Sequence, residues 1–146
     1  MLEEKKITIE VPASTGNVGP GFDCIGLAVD IWNKVTIEKS DGVFEILNQG
    51  INKEKYDSIQ IKENLITKGI LLACPEIDLN KFKIISENNI PFAGGLGSSA
   101  ASISAGLIIG NHLSGNKLNN DDLMQMAIAM EGHPDNATPC IHGGLT

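Results

Sequence analysis

A glycine-rich loop between a predicted strand and a predicted helix constrains this chain more than any other feature. The strand is "FKIISEN" (82–88), the loop is "PFAGGLGSS" (91–99), and the helix is the run of small and apolar residues "SSAASISAGLIIGNHLSG" (98–115). Because that helix is apolar almost all round, it is expected to be buried rather than to lie on a surface. The segment therefore predicts a mixed α and β domain with this helix inside it.

The same loop is suited to bind an anion. Glycines let backbone N–H groups approach a ligand, and the helix N-terminus that follows carries unpaired donors and a partial positive charge. Ser98 and Ser99 stand where the helix begins, where hydroxyls can bind a phosphate oxygen or Mg²⁺. We interpret the segment as a phosphate-binding loop. The alternative is a glycine turn followed by a serine that caps the helix.

Two better-known phosphate-binding loops do not fit this segment. A Walker-type loop needs a lysine, and none is present here. Gly95-x-Gly97-x-x-Ala100 matches the loose dinucleotide fingerprint, but the acidic residue about 20 positions later should end a strand. Asp121 and Asp122 instead begin a predicted helix, which argues against a dinucleotide-binding domain.

Hydrophobic periodicity predicts further strands and helices along the chain. The predicted strands are residues 5–14, halted at Pro12, then 27–40 and 42–50, and the predicted helices are 63–74 and 119–132. Asp41-Gly42 supplies a turn, so the first three strands are expected to form a meander. Residues 137–146 have a strand-like middle.

Two polar segments are candidates for a site. "PASTGNVGPGFDCIG" (12–26) holds Asn17 and Asp23 on a stiff glycine and proline frame, which can fix the geometry of a small polar ligand. The alternative is a turn whose side chains satisfy its own backbone.

The second polar segment, "EGHPDN" (131–136), gathers titratable side chains after a helix. Glu131 could hold a metal ion, and Asp135 could accept a hydroxyl proton or bind an amine. The alternative is a polar loop that ends the helix. A serine hydrolase is disfavoured because the chain contains no G-x-S-x-G motif.

Charge and cysteine content exclude several partners. The 146 residues carry 11 basic side chains, all lysine, against 18 acidic ones, for a net charge of −7. This balance disfavours nucleic acid and anionic membranes. Three widely spaced cysteines form no metal or redox pair, and no segment has the length and hydropathy of a membrane span or a targeting signal. A cytoplasmic protein is expected.

Taken together, three segments resemble the GHMP kinases, and within that family the homoserine kinases. Residues 12–35 resemble the N-terminal signature, 91–102 are similar to the ATP-binding motif, and 131–136 followed by two glycines resemble the third block. "NVGPGFD" (17–23) points to homoserine as the acceptor, and "ENLITKG" (63–69) resembles the helix-opening segment beside the nucleotide base.

The resemblance implies a fold of the α+β class, a two-layer α/β sandwich like domain 2 of a ribosomal protein, with ATP and Mg²⁺ as cofactors. It implies phosphorylation of the side-chain hydroxyl of L-homoserine in threonine biosynthesis. The implied ATP-binding residues are Asn64, Pro91, Gly94, Gly95, Leu96, Gly97, Ser98, Ser99, Ala100, Ala101 and Asn136. The implied substrate-binding residues are Asn17, Asp23, His133 and Asp135, of which Asp23 and Asp135 are catalytic, and the implied metal ligands are Ser98 and Glu131.

Two departures from the family pattern bear on these expectations. Only four positions separate Glu131 from Asp135, fewer than in many homoserine kinases. Residues 1–146 are expected to be the ATP-binding N-terminal domain, with the C-terminal domain and its substrate-binding arginines absent and the fragment inactive by itself. The expected partner is L-homoserine, with a homodimer as one option. Another GHMP kinase, such as a mevalonate-type kinase, and a non-catalytic nucleotide-binding module are the alternatives.

Overall fold

The computed structural model describes residues 6–146, so the first residue of the predicted opening strand, Lys5, lies outside the described residues. The elements are β1 (Lys6–Thr15), β2 (Leu27–Lys39), β3 (Glu45–Gly50), α1 (Lys53–Asp57), α2 (Leu65–Ala73), β4 (Phe82–Asn88), α3 (Ser98–Leu113), α4 (Asn120–Glu131) and α5 (Pro134–His142). Single 3₁₀ turns cover Ile61–Glu63 and Leu79–Lys81. All the strands and helices predicted before residue 133 are confirmed. The five-residue helix α1 escaped prediction.

The sheet order is β1-β2-β4-β3, which corrects the predicted meander. β2 pairs antiparallel with β1 and with β4, whereas β3 pairs parallel with β4. β3 is therefore not adjacent to β2, although only a short turn joins them. Two parallel strands need a crossover connection, and the helices α1 and α2 supply it between β3 and β4.

Pro12 does not halt the first strand, as was expected. β1 continues to Thr15, and its register against β2 shifts between Pro12 and Ala13. Proline lacks an N–H donor, so a sheet accepts it at an edge strand or a bulge, and among the described strands β1 offers both. The strand thereby carries Ser14 as far as the glycine loop.

The two faces of the sheet differ in chemistry, and this makes the fold two-layered. One face is buried under the helices and holds apolar residues such as Val11, Ile37 and Ile84. The other face is polar: the Thr8 and Thr36 hydroxyls lie 3.0 Å apart, and Lys83 pairs with Glu38 at 2.8 Å. The predicted two-layer α/β arrangement is confirmed.

Helix α3 runs through the interior, as its composition predicts. It packs against α2 at backbone contact, because a Cβ on Gly106 would lie 2.3 Å from the Ile66 carbonyl oxygen. A Cβ on Gly110 would lie 2.6 Å from the Ile70 carbonyl oxygen. The small residues of α3 thus set the distance between the two helices.

The predicted strand-like middle of residues 137–146 is wrong, since residues 134–142 form α5. Pro139 lies inside this helix, where it removes the bond to the carbonyl of Asp135. That carbonyl packs on Gly26 so closely that a Cβ there would lie 1.7 Å from the oxygen. Tertiary packing therefore holds a helix that local propensity does not favour. Beyond it, Thr146 exchanges two backbone hydrogen bonds with Gly26.

None of the helices within residues 6–146 combines the length and the apolar character that crossing a bilayer demands.

Candidate active site

The glycine loop presents the N-terminus of α3 without a side-chain cap. Gly97 occupies the N-cap position in the left-handed region (φ 67°), and no side chain there accepts from the helix amides. The serine cap that was the alternative interpretation is thus not formed. The N–H of Ala101 donates to the Gly97 carbonyl at 2.9 Å, so the helix donors without an intrahelical partner precede it. These donors can bind an anion.

Asparagine side chains anchor the start of the loop. Asn33 Oδ1 accepts hydrogen bonds from the backbone N–H of Asn89 (2.7 Å) and of Ile90 (2.9 Å). Asn52 Oδ1 accepts from the N–H of Phe92 at 3.0 Å. Because Asn33 comes from β2 and Asn52 follows β3, the loop is tied to the two strands that flank β4. Sequence reasoning missed both residues.

The predicted ATP-binding residues in this segment differ in what they offer a ligand. The side chains of Ala100 and Ala101 are fully buried in the core, so only their backbone is left for binding. The carbonyl of Leu96 accepts from Ser14 N at 3.1 Å, and the N–H of Gly94 lies 3.4 Å from the Pro91 carbonyl. The open stretch between them gives a ligand access to backbone groups.

Gly95 is the most open position of the loop. Its backbone is left-handed (φ 72°), and a Cβ there would meet no atom within 4 Å. The requirement for glycine at this position is therefore conformational rather than steric.

Ser14 joins the glycine loop to the segment 131–136. Its Oγ donates to Asn136 Oδ1 at 2.9 Å, and a Cβ on Gly97 would lie 2.2 Å from the same Oγ. Gly97 and Asn136, two predicted site residues 39 positions apart in the chain, thus both contact the side chain of Ser14. Ser14 escaped sequence reasoning because nothing in its surroundings distinguishes it from a strand-end serine.

The two serines that begin α3 have different neighbours. Both line a cavity with Tyr56, but Ser99 Oγ donates to Glu131 Oε2 at 2.8 Å, whereas the side chain of Ser98 interacts with Tyr56. The hydroxyl nearest to Glu131 is therefore that of Ser99, although Ser98 was predicted as its partner at a metal ion. No three His, Cys, Asp or Glu side chains cluster as a metal-binding group within residues 6–146.

Asp135 is the buried acid of the site. Its side chain is 1% exposed, and Oδ1 lies 2.9 Å from His133 Nδ1. Oδ2 is buried and has no hydrogen-bond partner. A Cβ on Gly16 would lie 2.0 Å from Oδ2, so this glycine makes room for the carboxylate. A buried carboxylate oxygen without a hydrogen-bond partner is rare, which makes Asp135 a candidate functional residue.

The Asn17 and Asp23 turn is locally satisfied. Both residues are exposed and in the left-handed region, and Asn17 Oδ1 accepts from Asp23 N at 2.8 Å. This is the side-chain-to-backbone turn that was the alternative interpretation. The structure joins the segment to Asp135 through Gly16 and Gly26 rather than through these two side chains.

A cavity of about 380 Å³ opens beside the start of α3. Its lining residues are Asn48, Tyr56, Ile59, Glu63, Asn64, Leu65, Ile66, Ser86, Phe92, Ala93, Ser98, Ser99 and Ser102. Asn64 caps α2, its Oδ1 accepting from Ile66 N (2.9 Å) and Thr67 N (3.3 Å). A wider cavity of about 660 Å³ at the opposite end of the sheet contains none of the predicted site residues.

Lys55 places a positive charge near the glycine loop, which has no lysine of its own. Its Nζ lies 5.5 Å from the ring centroid of Phe92, which packs edge-to-face on Tyr56. The lysine comes from α1, the helix that sequence analysis missed. Only tertiary structure brings it near the loop.

Comparison with known proteins identifies the family. The family model described as the GHMP kinases N terminal domain matches residues 64–144. The chain belongs to the GHMP kinase family. The predicted family resemblance and fold are thereby confirmed, and the matched range includes the glycine loop, Glu131 and Asp135.

Similar proteins within this family carry the name homoserine kinase. The chain is 39% identical over 143 residues to the homoserine kinase of Clostridium novyi, covering 96% of the chain and 46% of that protein. It is 39% identical to the homoserine kinase of Synechocystis sp. over 140 residues, covering 94% and 46%. The crystal structure of homoserine kinase from Cytophaga hutchinsonii superimposes with a TM-score of 0.82 at 30% identity, covering 99% of this chain and 49% of that one. The chain therefore spans about half the length of the relatives it matches.

Proposed function

We propose that this GHMP kinase chain forms the ATP-binding part of a homoserine kinase, which transfers the γ-phosphoryl group of ATP to the side-chain hydroxyl of L-homoserine. The observation that carries the proposal is the contact between the glycine loop and the segment 131–136, in which Ser14 bonds Asn136 beside Gly97 and Ser99 bonds Glu131. The uncapped N-terminus of α3 and the buried Asp135 belong to these two segments. Identity of 37–39% to homoserine kinases supports this acceptor over that of another GHMP kinase.

The phosphates of ATP would bind the backbone amides of the glycine loop and of the first turn of α3. The nucleoside would occupy the cavity of about 380 Å³, which shares Ala93, Ser98 and Ser99 with the loop. Binding sites for small molecules usually have volumes of about 300–1,000 Å³, and this cavity falls in that range. Phosphoryl transfer depends chiefly on positioning and on neutralising the equatorial oxygens, and oriented amides meet both needs without a loop lysine.

The donor set at Ser99 and Glu131 fits Mg²⁺. Magnesium in phosphoryl-transfer sites takes one or two carboxylates together with oxygens of the substrate phosphates, so a larger acidic cluster is not needed. Neighbouring ligands of an octahedral Mg²⁺ at its usual bond length lie about 3 Å apart, and the two side-chain oxygens here lie 2.8 Å apart. The ion would neutralise charge on the β- and γ-phosphates.

Asp135 would orient the acceptor hydroxyl. Its free Oδ2 can accept the hydroxyl hydrogen, while His133 holds Oδ1. Transfer forms a bond from the hydroxyl oxygen to the γ-phosphorus and breaks the bond to the bridging oxygen of ADP. The released proton would pass to Oδ2 if Asp135 is a base, and directly to solvent if it only orients the substrate.

The wider setting is part of the same proposal. The product would be O-phospho-L-homoserine on the route to threonine, made in the cytoplasm. A homodimer remains an option of the whole enzyme.

An ADP-release assay with Mg²⁺, ATP and L-homoserine tests the proposal on this chain and on the full product of its gene. We expect the full product to respond to homoserine. Asp135→Asn should lower kcat by about 10²–10⁴-fold if Asp135 is a general base. Activity within a few-fold of wild type would rule out an essential base, and Asp41→Asn, in an exposed turn, is the matched control. If L-homoserine did not increase ADP release by the full product, the assignment of homoserine as the acceptor would be refuted.

A further inference from the structure

Two polar atoms without partners belong to side chains that line the 380 Å³ cavity. They are Asn48 Oδ1 and the hydroxyl oxygen of Tyr56, and each of these side chains belongs to a residue that is only 7% exposed. Buried polar groups nearly always have a hydrogen-bond partner, and leaving one without a partner is costly. A ligand in the cavity would supply the missing partners.

The orientation of the Asn48 amide is set from outside the cavity. Asn48 Nδ2 donates to Asp57 Oδ1 at 3.0 Å, and a carboxylate can only accept. Lys53 bonds the other carboxylate oxygen, and this hydrogen bond is the main reason that the pKa of Asp57 lies below its usual value. Asp57 thus stays ionised and fixes the amide, with Oδ1 left as the acceptor.

Tyr56 offers the opposite polarity. Burial raises the pKa of its hydroxyl more than the neighbouring Ser98 side chain lowers it, so the group stays protonated at neutral pH. Ser98 lies close to the hydroxyl but without hydrogen-bond geometry, so the hydroxyl can still donate to a ligand. Its ring packs edge-to-face on Phe92 with 5.3 Å between the ring centroids, which restricts where the hydroxyl can lie. The cavity therefore offers one fixed acceptor and one donor on neighbouring side chains.

We propose that Asn48, oriented by the Lys53–Asp57 pair, selects a 6-aminopurine over a 6-oxopurine in the nucleotide. Its Oδ1 would accept from the 6-amino group of adenine, and the Tyr56 hydroxyl would donate to a ring nitrogen. Adenine presents this donor next to a ring acceptor, whereas a 6-oxo group would place an oxygen against Asn48 Oδ1. The inference rests on the proposed function, since it assumes that the nucleoside of ATP occupies this cavity.

The test compares ATP with inosine triphosphate, which carries a 6-oxo group in place of the 6-amino group. Each is titrated with Mg²⁺ into the 146-residue chain, and binding is followed by backbone amide NMR shifts, which report weak as well as tight binding. A well-placed base contact discriminates by 1–3 kcal/mol, so wild type should bind ATP roughly 5- to 150-fold more tightly than inosine triphosphate.

Two variants and one control test the contribution of Asn48. Asn48→Ala should bring the two affinities within about threefold, because it removes the acceptor. Asp57→Asn should also reduce the preference, because an amide at position 57 lets the Asn48 amide flip. Val43→Ala, at an exposed position outside the cavity, should keep the wild-type ratio.

The possible contrary outcomes separate the two proposals. Equal affinities in wild type, or an unchanged ratio in folded Asn48→Ala, would overturn the role of Asn48 while nucleotide binding stands. Wild-type chain that binds neither nucleotide would overturn the nucleotide site itself, and the inference with it. The ratio of ATP affinity to inosine triphosphate affinity is measured on the wild-type chain. The proposal can therefore be tested even if Asn48→Ala does not fold.

Discussion

At the scale of single residues, neutral side chains organise the proposed phosphate-binding site. Asn33 and Asn52 bind the backbone of the loop, and Ser14 binds the loop together with Asn136. Side-chain amides and hydroxyls can hydrogen-bond the backbone of the loop without adding charge. The remaining backbone N–H groups of the loop can then donate to a ligand. The loop itself contains no lysine, and Lys55 of α1 lies over the ring of its Phe92.

Cys140 should be the least reactive thiol in the folded chain. It is 4% exposed, and burial raises the pKa of its thiol to about 11. Because the thiolate is the nucleophile, alkylation with iodoacetamide at pH 8 should label exposed Cys24 and leave Cys140 unlabelled until urea unfolds the protein. Peptide mass spectrometry measures both positions. Equal labelling of the two cysteines in native protein would contradict this burial.

The pKa of Cys140 also predicts a pH dependence of folding. The folded state favours the neutral thiol, so its contribution to stability is complete below the unfolded pKa, near 9, and is lost as pH rises towards 11. Comparison with Cys140→Ala separates this effect from the titration of lysines, since only the wild type should lose the contribution.

At the scale of elements, the contact between α2 and α3 decides how well the site is held, because α3 carries Ser98 and Ser99. Gly106→Ala gains about 1 kcal/mol of helix propensity. Its Cβ would meet Ile66 backbone at 2.3 Å, which cannot move without separating the helices. Since overpacking costs about 1–3 kcal/mol, we expect a net loss of unfolding free energy. Urea denaturation measures it.

A second substitution on the same helix should change stability in the opposite direction. The Ser104 hydroxyl is buried without a partner, and Ser104→Ala removes it. Removing an unsatisfied buried hydroxyl should leave the unfolding free energy unchanged or raise it by up to about 1 kcal/mol. If both alanine variants destabilised equally, helix burial in general, rather than the glycine contact, would be the cause.

The sequence predicts elements well where periodicity and caps agree. In α4, Asn119 and Asp122 form a capping box and Gly132 ends the helix in the left-handed region, as the local sequence indicates. Prediction fails where packing overrides propensity. α5 holds Pro139 in a helix because the Asp135 carbonyl packs on Gly26, and β1 passes Pro12 because a bulge at a sheet edge tolerates it.

At the scale of the whole molecule, the site assembles from segments far apart in the chain. Sequence reasoning selected residues 12–26, 91–99 and 131–136 because each combines glycine with polar side chains. It could not give the contacts between them, since these depend on where β1 and α4 end and where α3 and α5 begin. This is why Ser99 rather than Ser98 lies beside Glu131, and why Ser14 was missed.

The net charge of −7 predicts an unusual salt dependence for ATP binding. A site that neutralises phosphates with lysines weakens as salt rises, because salt screens attraction. Here the net negative charge of the chain would repel ATP, and the proposed site would bind its phosphates through backbone amides. We therefore expect the affinity for ATP without Mg²⁺ to stay level or rise between about 20 and 200 mM NaCl, where the screening length falls below about 10 Å.

Equilibrium titration of ATP at the two salt concentrations measures this dependence, and Lys55→Gln is the matched variant. If Lys55 only packs on Phe92, the variant should show the same salt dependence as wild type. Weakening of ATP binding by more than about threefold in wild type, abolished in Lys55→Gln, would mean that this lysine neutralises a phosphate. That result would mean that the phosphates are bound by a lysine of α1 as well as by backbone amides. An active variant would then have to preserve α1 in addition to the glycine loop.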